Sequence, residues 1–168
     1  MIKDVTKQDL VNMYKQHPAT NAFEKRRMQF YFDMYDNPLV DAKYLVYTDG
    51  GEYVGECVLV FKDERKHFEF EYEKDILAKS GTCLIKNLYI AENKQGKGYF
   101  SKFLYKIKDL AKAKNCIHLT MAVATDNKKA VDIYKHFNAK VFDEKQYQDV
   151  GSMLFMQIEV DKEKEKTK

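Results

Sequence analysis

The spacing of apolar residues predicts two helices at the start of the chain. Leu10, Met13 and Tyr14 fall on one face of the first helix, and Thr6 precedes them as a capping residue. A second apolar stripe at helical spacing occupies residues 21–37, and the proline that follows should end it. The chain therefore opens with a helical pair.

Beyond these helices the apolar period changes to that of strands, interrupted twice by helical patterns. The predicted strands cover residues 43–48, 53–61, 68–72, 83–90, 117–123, 141–142 and 153–160. In the third of them, aromatic residues alternate with glutamates, which indicates a strand with one wet face. Residues 100–111 form an amphipathic helix with lysines on its outer face, and residues 127–137 form a shorter one. This order predicts an α/β fold with a mixed sheet.

The length of 168 residues suits one domain, which we assign to residues 1–160. Residues 161–168 are almost all charged, and we expect them to be a disordered tail. The net charge of +3 is small and dispersed, so nucleic acid is not an expected partner. Cys57, Cys83 and Cys116 lie in or beside apolar runs without metal-ligand spacing, so we interpret them as reduced core thiols. With no apolar signal segment or membrane-length stretch, the sequence predicts a cytoplasmic protein without membrane contact.

A glycine-containing loop joins the fourth predicted strand to the long helix. Its residues are Gln95, Gly96, Lys97, Gly98, Tyr99, Phe100 and Ser101. Backbone N–H groups at the start of a helix lack intrahelical partners and carry partial positive charge, so such a loop can bind a diphosphate or can be a simple turn. It lacks the Gly-Lys-Ser/Thr ending of a Walker loop, which argues against an ATP site. It also lacks the third glycine of a dinucleotide fingerprint.

A second segment contains Asn127, Ala130, Ile133 and Tyr134, spaced as Asn-x-x-Ala-x-x-Ile-Tyr. Together with the glycine loop, it resembles the GNAT N-acetyltransferases, which carry both motifs after their fourth and fifth strands. The similar stretch runs from about residue 84 to 139. The resemblance implies a GNAT-like, mostly antiparallel twisted sheet of about seven strands flanked by about four helices.

The resemblance also implies acetyl-CoA as co-substrate, with no metal. Backbone groups of the loop, residues 95–101, would hold the diphosphate, and those of Leu88, Tyr89 and Ile90 would pair with the pantetheine arm. Asn127 would contact the cofactor near the second motif. Tyr134 would be the general acid, because a phenol stays protonated at neutral pH and can donate to the leaving sulfur.

The chain departs from the family pattern at three places. Phe100 stands where relatives have Gly or Ala, and its place in the apolar stripe favours the core for its ring. Asn138-Ala139 replaces the usual Gly-Phe. Leu84 stands where some relatives have a glutamate that serves as base, so that role is vacant. The substitutes that remain open are Glu56, Glu69, Glu71 and His118.

We therefore predict an N-acetyltransferase that moves an acetyl group from acetyl-CoA to a primary amine by direct attack in a ternary complex. The acceptor is a small molecule or a peptide, and its candidate lining is Phe30, Tyr31, Tyr35 and Tyr147. The alternative is a non-catalytic acetyl-CoA-binding sensor or interaction module with the same fold. Family habit alone suggests a homodimer.

Overall fold

A computed structural model describes residues 1–160, so the predicted disordered tail lies outside the described residues. The helices are α1 (Lys7–Gln16), α2 (Ala22–Asp36), α3 (Glu71–Leu77), α4 (Tyr99–Ala113) and α5 (Lys128–His136). The strands are β1 (Ile2–Asp4), β2 (Val40–Asp49), β3 (Glu52–Asp63), β4 (Thr82–Ile90), β5 (His118–Ala124), β6 (Lys140–Tyr147) and β7 (Gly151–Glu159).

The seven strands form one sheet in the order β1-β2-β3-β4-β5-β7-β6. Only β4 and β5 are parallel, and every other neighbouring pair is antiparallel. The predicted mixed, mostly antiparallel sheet is therefore confirmed. One apolar cluster packs α4 and α5 against one face, and a second packs α1, α2 and α3 against the other. The sheet thus lies between two helical layers.

The first two helices begin where the sequence predicts, because side chains cap their free amides. The Thr6 hydroxyl accepts from the Asp9 N–H at 3.1 Å, and the Asp9 carboxylate accepts from the Thr6 N–H at 2.9 Å. The Asn21 side chain accepts from the Glu24 N–H at 2.8 Å. Helix α2 ends at Asp36, before the proline at position 38.

The prediction of a strand at residues 68–72 is wrong. Helix α3 starts at Glu71 instead, and the Glu73 carboxylate accepts from the Phe70 N–H at 3.0 Å, which stabilises the helix start. Tyr72 and Ile76 lie four residues apart, so both reach the apolar cluster on this side of the sheet. In so short a segment, the same residues fit both the alternation of a strand and the spacing of a helix. The hydrogen bond of Glu73 at the helix start favours the helix. α3 accounts for the helix beyond the four expected.

The two edge strands also differ from the sequence prediction. β1 was not predicted, since three residues, Ile2–Asp4, are too few to show a period; it pairs with Leu45–Tyr47 of β2. β6 extends over Lys140–Tyr147 rather than residues 141–142, and its exposed polar residues hide it from hydrophobicity patterns. The three cysteines are free and buried, in agreement with their assignment as core thiols.

Candidate active site

A cavity of about 450 Å³ opens between the end of β4, the glycine loop and helices α4 and α5. Its walls are mostly apolar. The lining residues are Leu88, Tyr89, Ile90, Lys94, Gln95, Gly96, Gly98, Phe100, Ser101, Ala130, Ile133, Tyr134 and Phe137. The two sequence motifs, more than twenty residues apart in the chain, thus meet in one space.

The cavity lies where the sheet separates. β4 pairs with β5 only through Thr82–Leu84, whereas β5 pairs with β7 along its whole length, His118–Ala124. The register of β4 against β3 shifts between the partners of Glu56 and Val58, and Asn87 takes a left-handed conformation with φ of 53°. The last residues of β4 therefore have a strand partner on the β3 side and face the cavity on the other. An extended ligand could pair with them as an added strand.

The loop presents backbone amides to this space. Gly96 and Gly98 have φ of +74° and +85°, a region that favours glycine, and a Cβ at either position would meet no atom within 4 Å. Gly98 is the N-cap of α4 and supplies no side-chain cap, so the first N–H groups of the helix stay available to a ligand. The first turns of α4 and α5 hold no acidic residue. The arrangement suits an anion such as a diphosphate.

The Gln95 side chain braces the loop from within. Its Nε2 donates to the Ile90 carbonyl at 3.0 Å, and its Oε1 accepts from Lys129 Nζ at 3.4 Å. These bonds tie the loop to the end of β4 and to α5. Lys94 lines the cavity beside it and forms an ion pair with Glu52.

The Phe100 ring is half-buried and contacts both the apolar core and the cavity. It packs against the α4–α5 apolar cluster, as its place in the stripe predicts, and it also lines the cavity. Its centroid lies 4.6 Å from that of Phe137 and 6.2 Å from that of Tyr134. The ring therefore forms part of the apolar wall beside the phenol.

Tyr134 lies on α5, and its side chain lines the cavity. Burial raises the pKa of its phenol, and the nearby Cys57 contributes in the same direction. The hydroxyl therefore keeps its proton at neutral pH. Helix α5 is fixed at its start by Asn127, whose side chain accepts from the Ala130 N–H at 3.2 Å.

Three residues predicted to contact the cofactor do not line the cavity: Lys97, Tyr99 and Asn127. The Tyr99 hydroxyl donates to Asp49, and its ring meets Tyr47 edge-on. The Asn127 carbonyl oxygen is engaged in capping α5.

Sequence reasoning missed four lining residues: Lys94, Ala130, Ile133 and Phe137. The last three share one face of α5 with Tyr134, at spacings of three, four and seven residues. This apolar stripe was the sequence signal that could have identified them. It was not sufficient, because a helix face that packs in the core shows the same stripe.

The structure separates the residues left open as base. His118 begins β5, so it lies at the other end of that strand from α5. Glu69 is buried and ion-paired, and Glu71 sits in the first turn of α3. Glu56 lies on β3, directly opposite Tyr89 of β4. Leu84 is buried in the apolar cluster on the α1–α3 side.

The candidate acceptor lining is not a single surface. The Phe30 side chain is fully buried, and the Tyr35 hydroxyl donates to the Val5 carbonyl. Tyr147 donates to Asp75 at 2.5 Å, beside α3. The Tyr31 ring is buried, and its centroid lies 4.9 Å from that of Tyr44, whose hydroxyl donates to Glu56. The expectation that these four rings form one lining is therefore wrong.

Neither a metal cluster nor a membrane span occurs in the described part of the chain. Within residues 1–160, no three His, Cys, Asp or Glu side chains are grouped so that they could hold a metal ion. In the same range, no helix is long and apolar enough to cross a membrane.

Comparison with known proteins gives consistent matches. Residues 8–139 match the model of the acetyltransferase (GNAT) family. A thialysine N-epsilon-acetyltransferase from Sus scrofa is 36% identical over 56 residues, which is 33% of this chain and 33% of that protein. The chain thus matches about a third of the length of this curated relative.

Solved structures share the fold. The spermidine/spermine N-acetyltransferase SpeG from Vibrio cholerae superimposes with a TM-score of 0.65 at 16% identity, covering 100% of this chain and 96% of that one. A spermidine N-acetyltransferase from Vibrio cholerae in complex with CoA and spermine gives a TM-score of 0.64 at 16% identity, with 96% of each chain covered. Because the family model spans most of the sequence, the chain belongs to the GNAT family of acetyltransferases.

Proposed function

We propose that this protein transfers the acetyl group of acetyl-CoA to a primary amine, by direct attack of the amine in a ternary complex. The observation that carries the proposal is one cavity lined both by the amide-rich start of α4 and by the half-buried Tyr134. Acetyl-CoA supplies the activated acetyl group as a thioester. The protein must hold it, receive the amine and protonate the departing sulfur.

The cavity fits an anion joined to an extended, largely apolar arm. Backbone amides from Gly96 to Ser101 would hold the diphosphate, and the open spaces above Gly96 and Gly98 allow close approach. Backbone groups of Leu88, Tyr89 and Ile90, free of β5, would pair with the arm. An N–H of this strand directed at the acetyl oxygen would act as an oxyanion-stabilising donor.

Tyr134 would act as the general acid. Its phenol lines the cavity and has a raised pKa, so it holds a proton that the leaving sulfur can take. Phe100 packs beside it and Phe137 packs against Phe100, so this wall of the cavity is apolar.

The acceptor class is suggested by the relatives. Spermidine, spermine and thialysine are the amines in the names of the similar proteins, and all are flexible, cationic primary amines. We propose that this protein uses an amine of the same chemistry. Lysine, a peptide N-terminus and an aminoglycoside complete the test panel.

The decisive experiment measures thiol release from acetyl-CoA over this panel, with wild type and Tyr134→Phe. The variant keeps the ring but loses the proton, so kcat should fall about 100-fold or more while acetyl-CoA affinity stays unchanged. Tyr105→Phe is the matched control, because Tyr105 lies on α4 with its side chain 70% exposed.

An equal kcat in wild type and Tyr134→Phe would remove Tyr134 from the mechanism. Binding of acetyl-CoA without thiol release from any amine would instead support the non-catalytic sensor.

A further inference from the structure

The carboxylates on the α1–α3 side of the sheet are mostly paired with cations. Glu69 contacts Arg27 at 2.7 Å and Lys86 at 3.0 Å. Glu73 also pairs with Lys86. Such buried pairs leave no charge for a substrate.

Glu56 differs from this ion-paired group. Within residues 1–160, the structure shows no cation paired with its carboxylate, which instead accepts from the hydroxyls of Tyr44 at 2.6 Å and of Tyr53. The residue is half-buried. A carboxylate that is oriented by two phenols and lacks a countercharge is suited to a cationic ligand.

The position of Glu56 relates it to the cavity. It lies opposite Tyr89 in the β3–β4 register, and Tyr89 lines the cavity. The next residue, Cys57, belongs to the apolar cluster of α4 and α5, and it is close enough to Tyr134 to affect the pKa of that phenol. Successive strand residues point to opposite faces of a sheet, so Glu56 points away from the face on which Cys57 and Tyr134 lie. Glu56 and Tyr134 are therefore near the same part of β3, on opposite faces of the sheet.

An exposed aromatic pair flanks the carboxylate. The rings of Tyr53 and Tyr89 are stacked with centroids 6.4 Å apart, and the two residues are 41% and 51% exposed. Exposed aromatic faces beside a carboxylate attract an alkylammonium through cation–π and charge interactions together. This surface carries the features that an amine acceptor requires.

We propose that Glu56 binds the ammonium group of the acceptor and takes its proton, with the Tyr53–Tyr89 pair flanking the substrate. The inference rests on the proposed acetyl transfer. One proton passes from the ammonium to the carboxylate, and the neutral nitrogen forms a C–N bond as the C–S bond breaks. The thiolate takes the proton of Tyr134, the phenolate recovers one from the new amide nitrogen, and Glu56 releases its proton to water.

The test uses Glu56→Gln, which keeps the side-chain length but has neither charge nor basicity. Its amide oxygen can still accept from one tyrosine hydroxyl, and its NH2 group can donate to the other. Spermidine is the probe. We expect kcat/KM for spermidine to fall about 100-fold or more. Spermidine affinity for the CoA-loaded protein, measured calorimetrically, should fall about tenfold. Acetyl-CoA affinity should stay at the wild-type value. Glu144→Gln on the exposed face of β6 is the control and should match wild type in all three measurements.

A second variant separates the aromatic pair from the carboxylate. Tyr89→Leu retains the backbone of β4 and should raise KM for spermidine severalfold with little change in kcat, because it removes binding surface and no proton acceptor.

The outcomes discriminate between the two proposals. Wild-type kcat/KM and wild-type spermidine binding in Glu56→Gln would overturn the role of Glu56, while turnover by the wild type would still support acetyl transfer. Spermidine binding that Glu56 controls, without turnover of any amine in the panel, would support the ammonium site and contradict the enzyme. A wild type that does not bind spermidine would overturn the ammonium site, and thiol release with the other amines would then decide the enzyme.

Discussion

Gly98 holds the backbone turn that opens α4, with φ of +85° and no atom within 4 Å of the point that a Cβ would occupy. We predict that Gly98→Ala weakens acetyl-CoA binding at least tenfold, because a methyl group would enter the space where the diphosphate approaches the amides. Isothermal titration calorimetry measures this change. The variant should also lose about 1–2 kcal/mol of stability, since an L-residue is strained at this φ.

Gly51→Ala is the matched control for that change. Gly51 has φ of +82° in the β2–β3 turn and likewise has open space around it. The same loss of stability with no change in acetyl-CoA affinity is expected. Equal affinities in both variants would show that the loop does not hold the diphosphate.

The raised pKa of the Tyr134 phenol predicts how the catalytic rate depends on pH. Its pKa is raised above the usual phenol value by burial and by Cys57, so the protonated form persists to higher pH than in an ordinary phenol. Because this shift moves the loss of the proton to higher pH, we predict that kcat at saturating substrates does not fall between about pH 7 and 9.5 through deprotonation of Tyr134. A steady-state profile checks this. A decline near pH 8.5 in wild type that is missing from Tyr134→Phe would contradict it.

At the scale of elements, the ion-paired group Arg27, Glu69, Glu73 and Lys86 joins α2, α3 and β4. The Lys86 side chain is 4% exposed and neutralises two carboxylates that are 1% and 3% exposed. Burial raises the pKa of Glu73, so its charged form depends on the Lys86 ammonium. Lys86→Met should lower the free energy of unfolding by about 3–5 kcal/mol, since it leaves buried charge uncompensated. Urea denaturation measures this loss.

The control is an ion pair of the same chemistry at the surface. Lys7 and Asp36 lie 2.7 Å apart with side chains 52% and 49% exposed, so Lys7→Met should cost at most about 1 kcal/mol. Adding Glu73→Gln to Lys86→Met should recover part of the loss by removing one uncompensated charge. If both single variants lost the same stability, the buried group would not hold α3 in place.

Elements differed in how far the sequence could predict them. α1 and α2 were predictable because Thr6 and Asn21 provide local capping signals and long apolar stripes follow. α3 was missed because its seven residues are too few to distinguish helical spacing from alternation. β1 is a strand because it pairs with β2. This contact joins residues far apart in the chain, so no local sequence pattern predicts it.

The same reasoning applies to the site. The glycine loop and the Tyr134 segment could be located from their spacing, because each depends on local geometry. Glu56 remained one of four open residues, since its distinction is the absence of a cation partner among residues 1–160 and its register opposite Tyr89. Both depend on how β3 and β4 align, which the sequence does not specify locally.

At the scale of the whole molecule, the separation of β4 from β5 creates the cavity, and filling it should stabilise the entire fold. A ligand at 100 times its Kd adds about 2.7 kcal/mol. For a domain of this length, that corresponds to an increase in Tm of about 5–10 °C. We predict this increase with acetyl-CoA in differential scanning fluorimetry and no increase with ATP at the same concentration, because the loop lacks the lysine–serine pair of a nucleotide site. Gly98→Ala should reduce the increase and Gly51→Ala should leave it intact, so that the effect is traced to the loop. An equal increase with ATP would contradict acetyl-CoA as the ligand that this gap in the sheet accommodates.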